Sequence, residues 1–229
     1  KISDLSKYHV NNYHFKPRES NALLNIGGNN VPRVIIDFSF KNTISCLDLL
    51  KVGYSYMHDE DKWGISDFAS DYIYIGDNYL DFEIPGTLGI IQKFSSWQKH
   101  KGTRCYPLLS LKEFKSCNPK TKLKFLMLKA SEFDDLPIDD IKSDPSLVLI
   151  SQSRDRFEIS NQKKLFSKLL KHKCKAPVIL SSHYSKNLEK SKIQLYATID
   201  MGSLLIEGFG DGIFVSIKNK DYIEHINST

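Results

Sequence analysis

Long hydrophobic runs are absent from this sequence. No uninterrupted apolar stretch approaches the ~20 residues that a transmembrane helix requires, so we exclude a membrane protein. Hydrophobic residues make up 41% of the 229 residues and charged residues 26%, which is the composition of an ordinary globular domain. A chain of this length buries roughly 70% of its unfolded surface and needs no disulfide or metal support.

Close pairs of cysteines or histidines are also absent. No Cys-x-x-Cys occurs and no two histidines stand at i, i+4, which excludes a zinc ribbon and a thioredoxin-type redox site and argues against any metal site. Because the chain is long enough for a stable core, we expect free buried thiols rather than disulfides. The four cysteines are Cys46, Cys105, Cys117 and Cys174.

The sequence has only a small excess of positive charge. The sequence holds 32 Lys+Arg against 27 Asp+Glu, a net charge of +5, whereas a dedicated nucleic-acid-binding protein usually concentrates a basic excess on one element. We therefore expect no nucleic acid partner. The acidic residues around Pro137 lack the Asp-x-Asp-x-Asp-Gly pattern of a calcium loop, and we expect a solvated turn there.

The chain divides into an N-terminal arm and one domain. Residues 1–30 are mostly polar and end in the turn-forming run Asn-Ile-Gly-Gly-Asn-Asn at 25–30, so we expect an arm there and a domain at 31–229. The sequence opens at Lys1 with no initiator Met, signal peptide or transit segment. We therefore expect it to be a segment of a longer protein.

Beyond residue 30, eight short apolar segments predict β-strands, and helix-period segments separate several of them. Continuously apolar strands are typical of a parallel sheet that is covered on both faces. The strands are predicted at 34–40, 71–76, 104–109, 124–128, 146–150, 177–180, 203–206 and 212–217. Helices are predicted around Ile44, Leu47 and Leu50, at 86–101, at 160–172, around Leu188, Ile193 and Leu195, and at 221–226.

These elements favour an α/β fold, a (β/α)8 TIM-barrel-like domain that is incomplete or irregular. Eight units in 229 residues give about 29 residues each, near the lower limit of that fold. An open doubly wound sheet is the alternative, because Pro107 weakens the third strand and the last two strands are very close in sequence.

In such a barrel, function is carried by the loops that follow the carboxyl ends of the strands. Arg154 and Arg156 follow the fifth strand and are suited to clamp a phosphate, while His183 follows the sixth and is suited to act as an acid or a base. The alternative is that all three are solvated loop residues. No nucleophile or carboxylate stands at a diagnostic spacing from His183.

The most specific pattern lies at residues 202–216. We expect a strand, a glycine-dense loop and a second strand there. Gly208, Gly210 and Gly212 permit positive φ and close backbone approach. A phosphate-cradling loop and a tight connection between strands need such glycines equally, so composition leaves both functions open.

This segment resembles the Gly-x-Leu-Leu-x-(Glu/Asp)-Gly-x-Gly-Asp signature of the iron–sulfur hydroxymethylbutenyl diphosphate synthase (IspG) family. The predicted elements from residue 146 onward also follow the order seen in plant-type members, so the resemblance covers about the last third of the chain. The matching positions are Gly202, Glu207, Gly208, Gly210 and Asp211, with Gly212 next in sequence.

Plant-type members carry an extra domain between the catalytic barrel and the iron–sulfur domain, and the resemblance implies that this chain is that insertion domain. The catalytic barrel of the family continues its signature as Gly-Asp-Thr-Ile-Arg-Val-Ser, whereas Phe214 stands here in place of the arginine. Losing a phosphate-facing cation implies a domain without catalytic residues. The 4Fe-4S cluster of the family needs three cysteines, two of them close together, and a glutamate, so we assign no cofactor ligand to this chain.

The resemblance implies that the parent enzyme reductively converts methylerythritol cyclodiphosphate to hydroxymethylbutenyl diphosphate in non-mevalonate (MEP pathway) isoprenoid biosynthesis, with electrons from ferredoxin or flavodoxin. This chain is then expected to be a non-catalytic spacer that positions the iron–sulfur domain over the catalytic barrel, and these two domains are its expected partners. Heavy use of Lys, Asn, Ile and Tyr resembles proteins from AT-rich genomes and predicts a plastid (apicoplast) location.

Two alternatives stay open. One is an independent barrel enzyme that acts on a phosphorylated small molecule, and the other is a docking module for the electron donor. The first would use Arg154, Arg156, His183 and Asp211. The second would use basic residues such as Lys168, Lys171 and Lys173, and its binding would weaken with salt.

Overall fold

Eight parallel strands form a closed barrel in the computed structural model, which describes residues 15–153, 159–185 and 188–217. The barrel strands are β1 (Arg33–Asp37), β4 (Tyr72–Tyr74), β5 (Gly89–Lys93), β6 (Cys105–Ser110), β7 (Lys124–Lys129), β8 (Leu147–Ser153), β9 (Val178–Tyr184) and β10 (Gly212–Ile217). They follow one another around the barrel, and β10 closes it by pairing in parallel with β1. The predicted TIM-barrel-like fold is confirmed, and the sheet is not open.

The outer layer is built from short helices, loops and one hairpin. The hairpin consists of β2 (Tyr54–Met57) and β3 (Lys62–Ile65). The α-helices are α1 (Phe94–Trp97), α2 (Leu111–Ser116), α3 (Ile138–Ser143), α4 (Ile159–Lys171), α5 (Lys190–Ala197) and α6 (Ser203–Ile206). Three 3-10 helices lie at Cys46–Val52, His58–Glu60 and Ala130–Glu132, and a π-helical turn at Thr198–Gly202 joins α5 to α6. No helix in the described part of the chain is long and apolar enough to cross a bilayer.

The outer layer is irregular on one side of the barrel. Between β1 and β4 the chain forms a 3-10 helix and the β2–β3 hairpin where a barrel usually has one α-helix. The connection from β4 to β5, residues 75–88, contains no helix. The predicted helix at 160–172 is confirmed as α4, which buries Leu165, Phe166 and Leu169 against the barrel.

Two hydrophobic clusters stabilise the molecule. One fills the interior of the barrel and the other lies between the strands and the outer layer, as expected when strand residues alternate between the two faces. The inner cluster includes Ile35, Tyr72, Ile91, Leu108, Phe125, Val148, Ile150, Ile179 and Phe214. The outer cluster includes Phe38, Leu49, Leu126, Leu149, Leu165, Phe166, Leu169 and Leu204.

The strand predicted at 203–206 is wrong, because these residues form α6. Only five residues separate them from β10, whereas neighbouring parallel strands need a crossover of a dozen residues or more. The described connection from β9 to β10 is helical instead, through α5, the π-helical turn and α6. A four-residue apolar run does not distinguish a strand from a buried helix.

The helix predicted at 86–101 is also wrong over its first half. Gly89–Lys93 is the strand β5, and only the four residues of α1 that follow it are helical. Ile90 packs on the outside of the barrel and Ile91 on the inside. Burial on both faces produces an apolar run in which the three-residue spacing of Leu88, Ile91 and Phe94 is coincidental. The missed strand and the false one offset each other, so the count of eight was right.

The helix predicted around Ile44 exists as a 3-10 helix with a different buried face. Leu49 and Val52 are fully buried, whereas Leu47 is 73% exposed and Leu50 is 53% exposed. In a 3-10 helix, residues three apart share a face. The three-residue period therefore holds within the helix, but Leu47 and Leu50 face solvent, whereas Ile44 precedes the helix and is buried.

The described part of the predicted N-terminal arm packs against the amino ends of the strands. Leu23 and Ile26 pair across a tight turn, and Ile26 is fully buried in the inner cluster. The amide of Asn21 donates to the carbonyl of Lys175 at 2.7 Å, just before β9. This segment closes the lower end of the barrel. The helix predicted at 221–226 lies outside the described residues.

Candidate functional site

A polar layer lies at the carboxyl end of the barrel interior, where TIM barrels carry their active sites. The inward-facing residues follow from alternation: Asp37 lies two residues beyond Ile35 in β1, and Ser216 two beyond Phe214 in β10. The corresponding residues of β9 are His183, which pairs in register with Ser216, and Ser181, which pairs with Gln152 of β8. We call Asp37, Gln152, Ser181, His183 and Ser216 the mouth layer.

Asp37 is held by its own neighbours in the mouth layer. Its side chain is 6% exposed, one carboxylate oxygen accepts the hydroxyl of Ser216, and the other accepts the amide of Ser39 at 2.8 Å. These two donors compensate the burial of the carboxylate. The position therefore fits a structural role in fixing the first and last strands to each other.

His183 lies on β9, two strands away from Asp37 around the barrel. Its Nε2 lies 2.9 Å from the amide nitrogen of Gln152, and its ring packs 6.3 Å from that of Phe214. The hydroxyl of Ser181 is fully buried and has no hydrogen-bond partner in the described structure. The interior directly below is filled by the inner cluster, so the mouth layer is a shallow polar surface above an apolar core.

Tyr74 lies beside Asp37 at the edge of the mouth layer. Burial raises the pKa of Tyr74 to about 12, and the carboxylates of Asp37 and Asp77 contribute to the same shift. Its ring packs edge-on against Phe214 at 5.9 Å. A phenol with a raised pKa stays protonated at neutral pH, so Tyr74 supplies packing and a neutral hydroxyl rather than a base.

The signature loop lies at the other end of the barrel. It leads from α6 into the amino end of β10, so Asp211 directly precedes the strand, whereas His183 pairs with Ser216 near the carboxyl end of the same strand. Residues at the amino ends of TIM-barrel strands generally contribute stability rather than catalysis. Asp211 and His183 therefore do not share one site, although they were proposed together for a phosphorylated ligand.

Both carboxylate oxygens and the backbone amide of Asp211 form hydrogen bonds with other residues of this chain. Its Oδ2 accepts the amide of Val178 at 2.8 Å and lies 3.4 Å from the guanidinium of Arg18. Its Oδ1 accepts the hydroxyl of Ser20. The backbone amide of Asp211 donates to the carbonyl of Val178 at 2.6 Å. We call Arg18, Ser20 and Asp211 the base clasp, because they join the N-terminal segment to the amino ends of β9 and β10.

Arg18 is the buried cation of the base clasp, with 3% of its side chain exposed. It donates to the carbonyls of Cys174 at 3.1 Å and Ala176 at 2.8 Å, and its guanidinium lies 5.7 Å from the centre of the Phe166 ring. Burial lowers the pKa of Arg18, and Asp211 opposes that shift. The carboxylate thus compensates a charge that would otherwise be costly to bury.

Gly208 of the signature loop serves this same contact. Gly208 has a φ of +82°, and a Cβ there would lie 2.6 Å from the carbonyl oxygen of Lys16. Its own carbonyl accepts the amide of Arg18 at 2.7 Å. Gly210 has a φ of +97°. Close approach of a backbone explains Gly208, and the approaching backbone is the N-terminal segment of this chain. A Cβ at Gly210 would instead lie 2.9 Å from Cγ of Leu180.

The remaining predicted residues lie apart. Glu207 forms an ion pair with Lys163 of α4 at 2.7 Å on the surface. Gly212 begins β10, where a Cβ would lie 2.4 Å from the carbonyl oxygen of Arg33. Arg154 and Arg156 lie outside the described residues. Of the lysines proposed to dock an electron donor, Lys168 donates to the carbonyls of Phe133 and Asp134 at 2.9 and 2.5 Å.

The residues that sequence reasoning missed are Arg18, Ser20, Asp37 and Ser216. Arg18 and Ser20 lie in a polar segment that resembles an arm, and their contacts span more than 150 residues in sequence. Of these four residues, Asp37 was the one that the sequence could have identified. A carboxylate inside the apolar run at 34–40 requires a buried hydrogen-bond partner.

The thiols do not fit the ligand set of an iron–sulfur cluster. All four cysteines are free and they belong to different parts of the fold. Within the described residues, no three side chains of the metal-binding types come together. Burial raises the pKa of Cys105 to about 11, and a thiol that resists ionisation is a poor metal ligand.

Comparison with known proteins points to one enzyme. No protein-family model matches the chain. Three relatives, each a 4-hydroxy-3-methylbut-2-en-1-yl diphosphate synthase (flavodoxin), come from Bacteroides thetaiotaomicron, Phocaeicola vulgatus and Parabacteroides distasonis. The identities are 27%, 24% and 27% over 86%, 91% and 63% of this chain. The chain is therefore similar over most of its length to named enzymes of the IspG family.

The chain spans 29%, 30% and 23% of the length of these three IspG enzymes. The similarity to the first two covers most of the barrel, whereas the sequence signature covers ten residues. The match therefore extends the resemblance from the last third of the chain to nearly all of it.

Proposed function

We propose that this chain is the insertion domain of a longer IspG enzyme and that its role there is structural. The observation that carries the proposal is the base clasp. The signature loop, whose glycines are equally suited to cradle a phosphate or to make a tight connection, is bonded here to Arg18 and Ser20 of the same chain. The barrel mouth has Asp37 engaged with Ser216 and Ser39, and Phe214 stands where the family's catalytic barrel has an arginine.

The parent reaction that we propose is the conversion of methylerythritol cyclodiphosphate to hydroxymethylbutenyl diphosphate. The curated relatives are named 4-hydroxy-3-methylbut-2-en-1-yl diphosphate synthase (flavodoxin), and the family resemblance implies flavodoxin as the electron donor. In our proposal the catalytic barrel and a 4Fe-4S domain lie elsewhere in the same polypeptide, and this domain fixes the distance between them. Misplacement of a reactive group by about 1 Å costs on the order of 10²-fold in rate.

Replacing residues 15–217 of the longer enzyme by a flexible linker tests the structural role. We expect the cluster absorbance and the substrate affinity to be retained, while kcat falls about 10²-fold or more because the domains are no longer positioned. An enzyme whose kcat survives the replacement would contradict a spacer role. Loss of substrate affinity with intact kcat would instead indicate a binding role for this domain.

Calorimetry on the isolated chain separates the spacer role from the independent enzyme. We expect no specific uptake of methylerythritol cyclodiphosphate or inorganic phosphate. The matched variant is His183→Ala, which removes the imidazole of the mouth layer. Micromolar binding that this variant abolishes would support the alternative of a phosphate-binding barrel enzyme.

We also propose a plastid-type location for the parent protein. The support is compositional, from the frequent Lys, Asn, Ile and Tyr. Imaging of the tagged parent protein in its own cells tests this directly, and a uniform cytosolic signal would contradict it.

A further inference from the structure

The barrel topology gathers positive charge at one end of the molecule. Strands β6, β7, β8 and β9 are parallel neighbours in the barrel, so the segments that lead into them meet at the amino ends of the strands. With strands spaced about 4.8 Å apart, the four strand starts lie within roughly 15 Å. We call these four segments the basic arc, and they comprise residues 98–104, 115–123, 142–146 and 171–177.

The basic arc holds ten cations and one carboxylate. The carboxylate is Asp144, which already pairs with Lys124 of β7 at 2.7 Å. The arc has a net charge of +9 and the whole chain one of +5, so the rest of the chain carries −4. The cations of the arc are Lys99, Lys101, Arg104, Lys115, Lys120, Lys122, Lys142, Lys171, Lys173 and Lys175.

Contacts within the fold account for part of this charge. Lys115, Lys142 and Lys171 lie in the last turns of α2, α3 and α4, where a cation is favoured by the helix dipole. Arg104 donates to main-chain carbonyls, and Lys175 forms a surface ion pair. The remaining lysines are exposed and form no ion pair with a carboxylate of the described residues: Lys99, Lys101, Lys120, Lys122 and Lys173.

The composition of the basic arc indicates what kind of anion it suits. It contains no Phe, Tyr or Trp, and its single arginine, Arg104, directs its guanidinium to three carbonyls of the β4–β5 connection. Nucleic acids are bound by arginine forks and by aromatic rings that stack on bases. Lysines supply point charges without either tool, which suits the scattered carboxylates of an acidic protein surface.

The basic arc also has no apolar centre. None of the large hydrophobic residues that are exposed in the described structure belongs to it. An interface that stays closed has an apolar, desolvated core, whereas exposed lysines favour fast and reversible association that is steered by charge. The arc therefore fits a partner that comes and goes rather than a domain packed permanently against it.

We propose that the basic arc is a docking surface for the acidic surface of a separate protein. Cations held this close together repel one another and destabilise the compact state, and a carboxylate-rich partner offsets that repulsion. The proposal concerns the amino ends of the strands and does not depend on the spacer role.

Titration with labelled poly-L-glutamate, followed by fluorescence anisotropy, tests the docking surface in this chain and in the longer polypeptide. We expect both to bind in low salt. The affinity should fall at least about 10-fold between about 20 mM and about 150 mM salt, because the screening length shortens to about 8 Å.

Reversing three charges of the basic arc should weaken this binding. The variant combines Lys120→Glu, Lys122→Glu and Lys173→Glu, and we expect an affinity in low salt that is lower by about 10-fold or more. Because the substitutions relieve repulsion between like charges, the variant should melt no lower than the parent chain. A normal melting temperature shows that the loss of binding is not a loss of folding.

The matched control makes the same change of net charge outside the basic arc. It combines Lys112→Glu, Lys129→Glu and Lys164→Glu, all exposed lysines, and the affinity should fall by less than about 3-fold. Equal losses in the two triple variants would overturn the proposal. Tighter binding of polyuridylate RNA with the same number of charges would also overturn it, in favour of a nucleic acid. Binding by this chain but not by the longer polypeptide would overturn it too, since a neighbouring domain would then cover the arc.

Discussion

Two buried carboxylates at the amino ends of the barrel strands show how single residues hold this molecule together. Asp211 joins the N-terminal segment to the strands through Arg18 and Ser20. Asp144 lies 2.7 Å from the ammonium of Lys124, whose side chain is 4% exposed at the start of β7. In each case the carboxylate compensates a buried cation, and such pairs are costly to break although they add little when formed.

Asp211→Asn is expected to lower the free energy of unfolding by about 3 kcal/mol, because it leaves Arg18 buried without a countercharge. Chemical denaturation measures this directly. Glu207→Gln is the matched control in the same loop, since the Glu207–Lys163 pair is partly exposed and surface pairs contribute about 0–1 kcal/mol. Equal losses in the two variants would contradict the role of the base clasp.

Acid should weaken the Asp144–Lys124 pair. Burial opposes ionisation of Asp144, but hydrogen bonds from Lys124, Ser146 and Asn118 outweigh it and hold the pKa of the carboxyl below its usual value. A lowered pKa in the folded state contributes stability above the ordinary aspartate pKa of about 3.9 and loses it as the pH falls through the folded value.

The measurement is the difference in unfolding free energy between the parent chain and Asp144→Asn as a function of pH. We expect a constant difference from pH 7 to about pH 5 and a shrinking difference below about pH 4. A difference that stays constant down to about pH 2 would show that the charge of Asp144 is not what stabilises the fold.

At the scale of elements, the helix–loop segment from α5 to β10 uses its glycines in two different ways. Gly208 and Gly210 adopt positive φ where the loop meets the N-terminal segment and the barrel, whereas Gly202 is an ordinary helical residue. The sequence motif contains all three glycines, but the backbone conformation requires glycine only at Gly208 and Gly210.

Gly208→Ala and Gly202→Ala should therefore change stability in opposite directions. At Gly208 a Cβ meets the carbonyl of Lys16 at 2.6 Å and the φ is strained for alanine, so we expect a loss of about 1–3 kcal/mol. At Gly202 we expect a gain of roughly 0.5–1 kcal/mol. Melting temperatures of both variants provide the comparison, and an unchanged melting temperature of Gly208→Ala would contradict the close contact.

Element types were predictable where a pattern had one cause. The buried face of α4 followed directly from its helical spacing, because one side packs on the barrel and the other meets water. The strand β5 was missed because an apolar run that is buried on both faces lacks the alternation that identifies a strand. The helix α6 was predicted as a strand because four residues are too few to show the helical period. The base clasp was beyond prediction, since Arg18 and Asp211 are 193 residues apart and no local pattern encodes their contact.

At the scale of the whole molecule, closure of the barrel makes one cooperative unit. The β1–β10 pair joins the first and last strands, and every one of the eight barrel strands contributes a residue to the inner cluster. Trp63 of the hairpin packs against the outer cluster and Trp97 is part of it. The hairpin is therefore expected to unfold together with the barrel.

Denaturant unfolding should give one transition, with coincident midpoints by tryptophan fluorescence and far-ultraviolet circular dichroism. Phe214→Ala, which removes a ring that is 1% exposed at the closing strand, should shift both midpoints together and cost about 3–5 kcal/mol. A fluorescence change that precedes the loss of circular dichroism would show that the outer layer unfolds by itself.

The parallel direction of β1 and β10 has a geometric consequence. Lys16 and Arg18 lie at the lower end of the barrel beside Gly208, while β10 delivers the chain at Ile217 on the upper end. The six residues of β10 run for about 20 Å along the strand between these two levels. The first described residues therefore lie near the amino ends of the strands, and the last described strand ends at the opposite side of the barrel. In the proposed spacer role, the length of one strand would set the distance between these two levels.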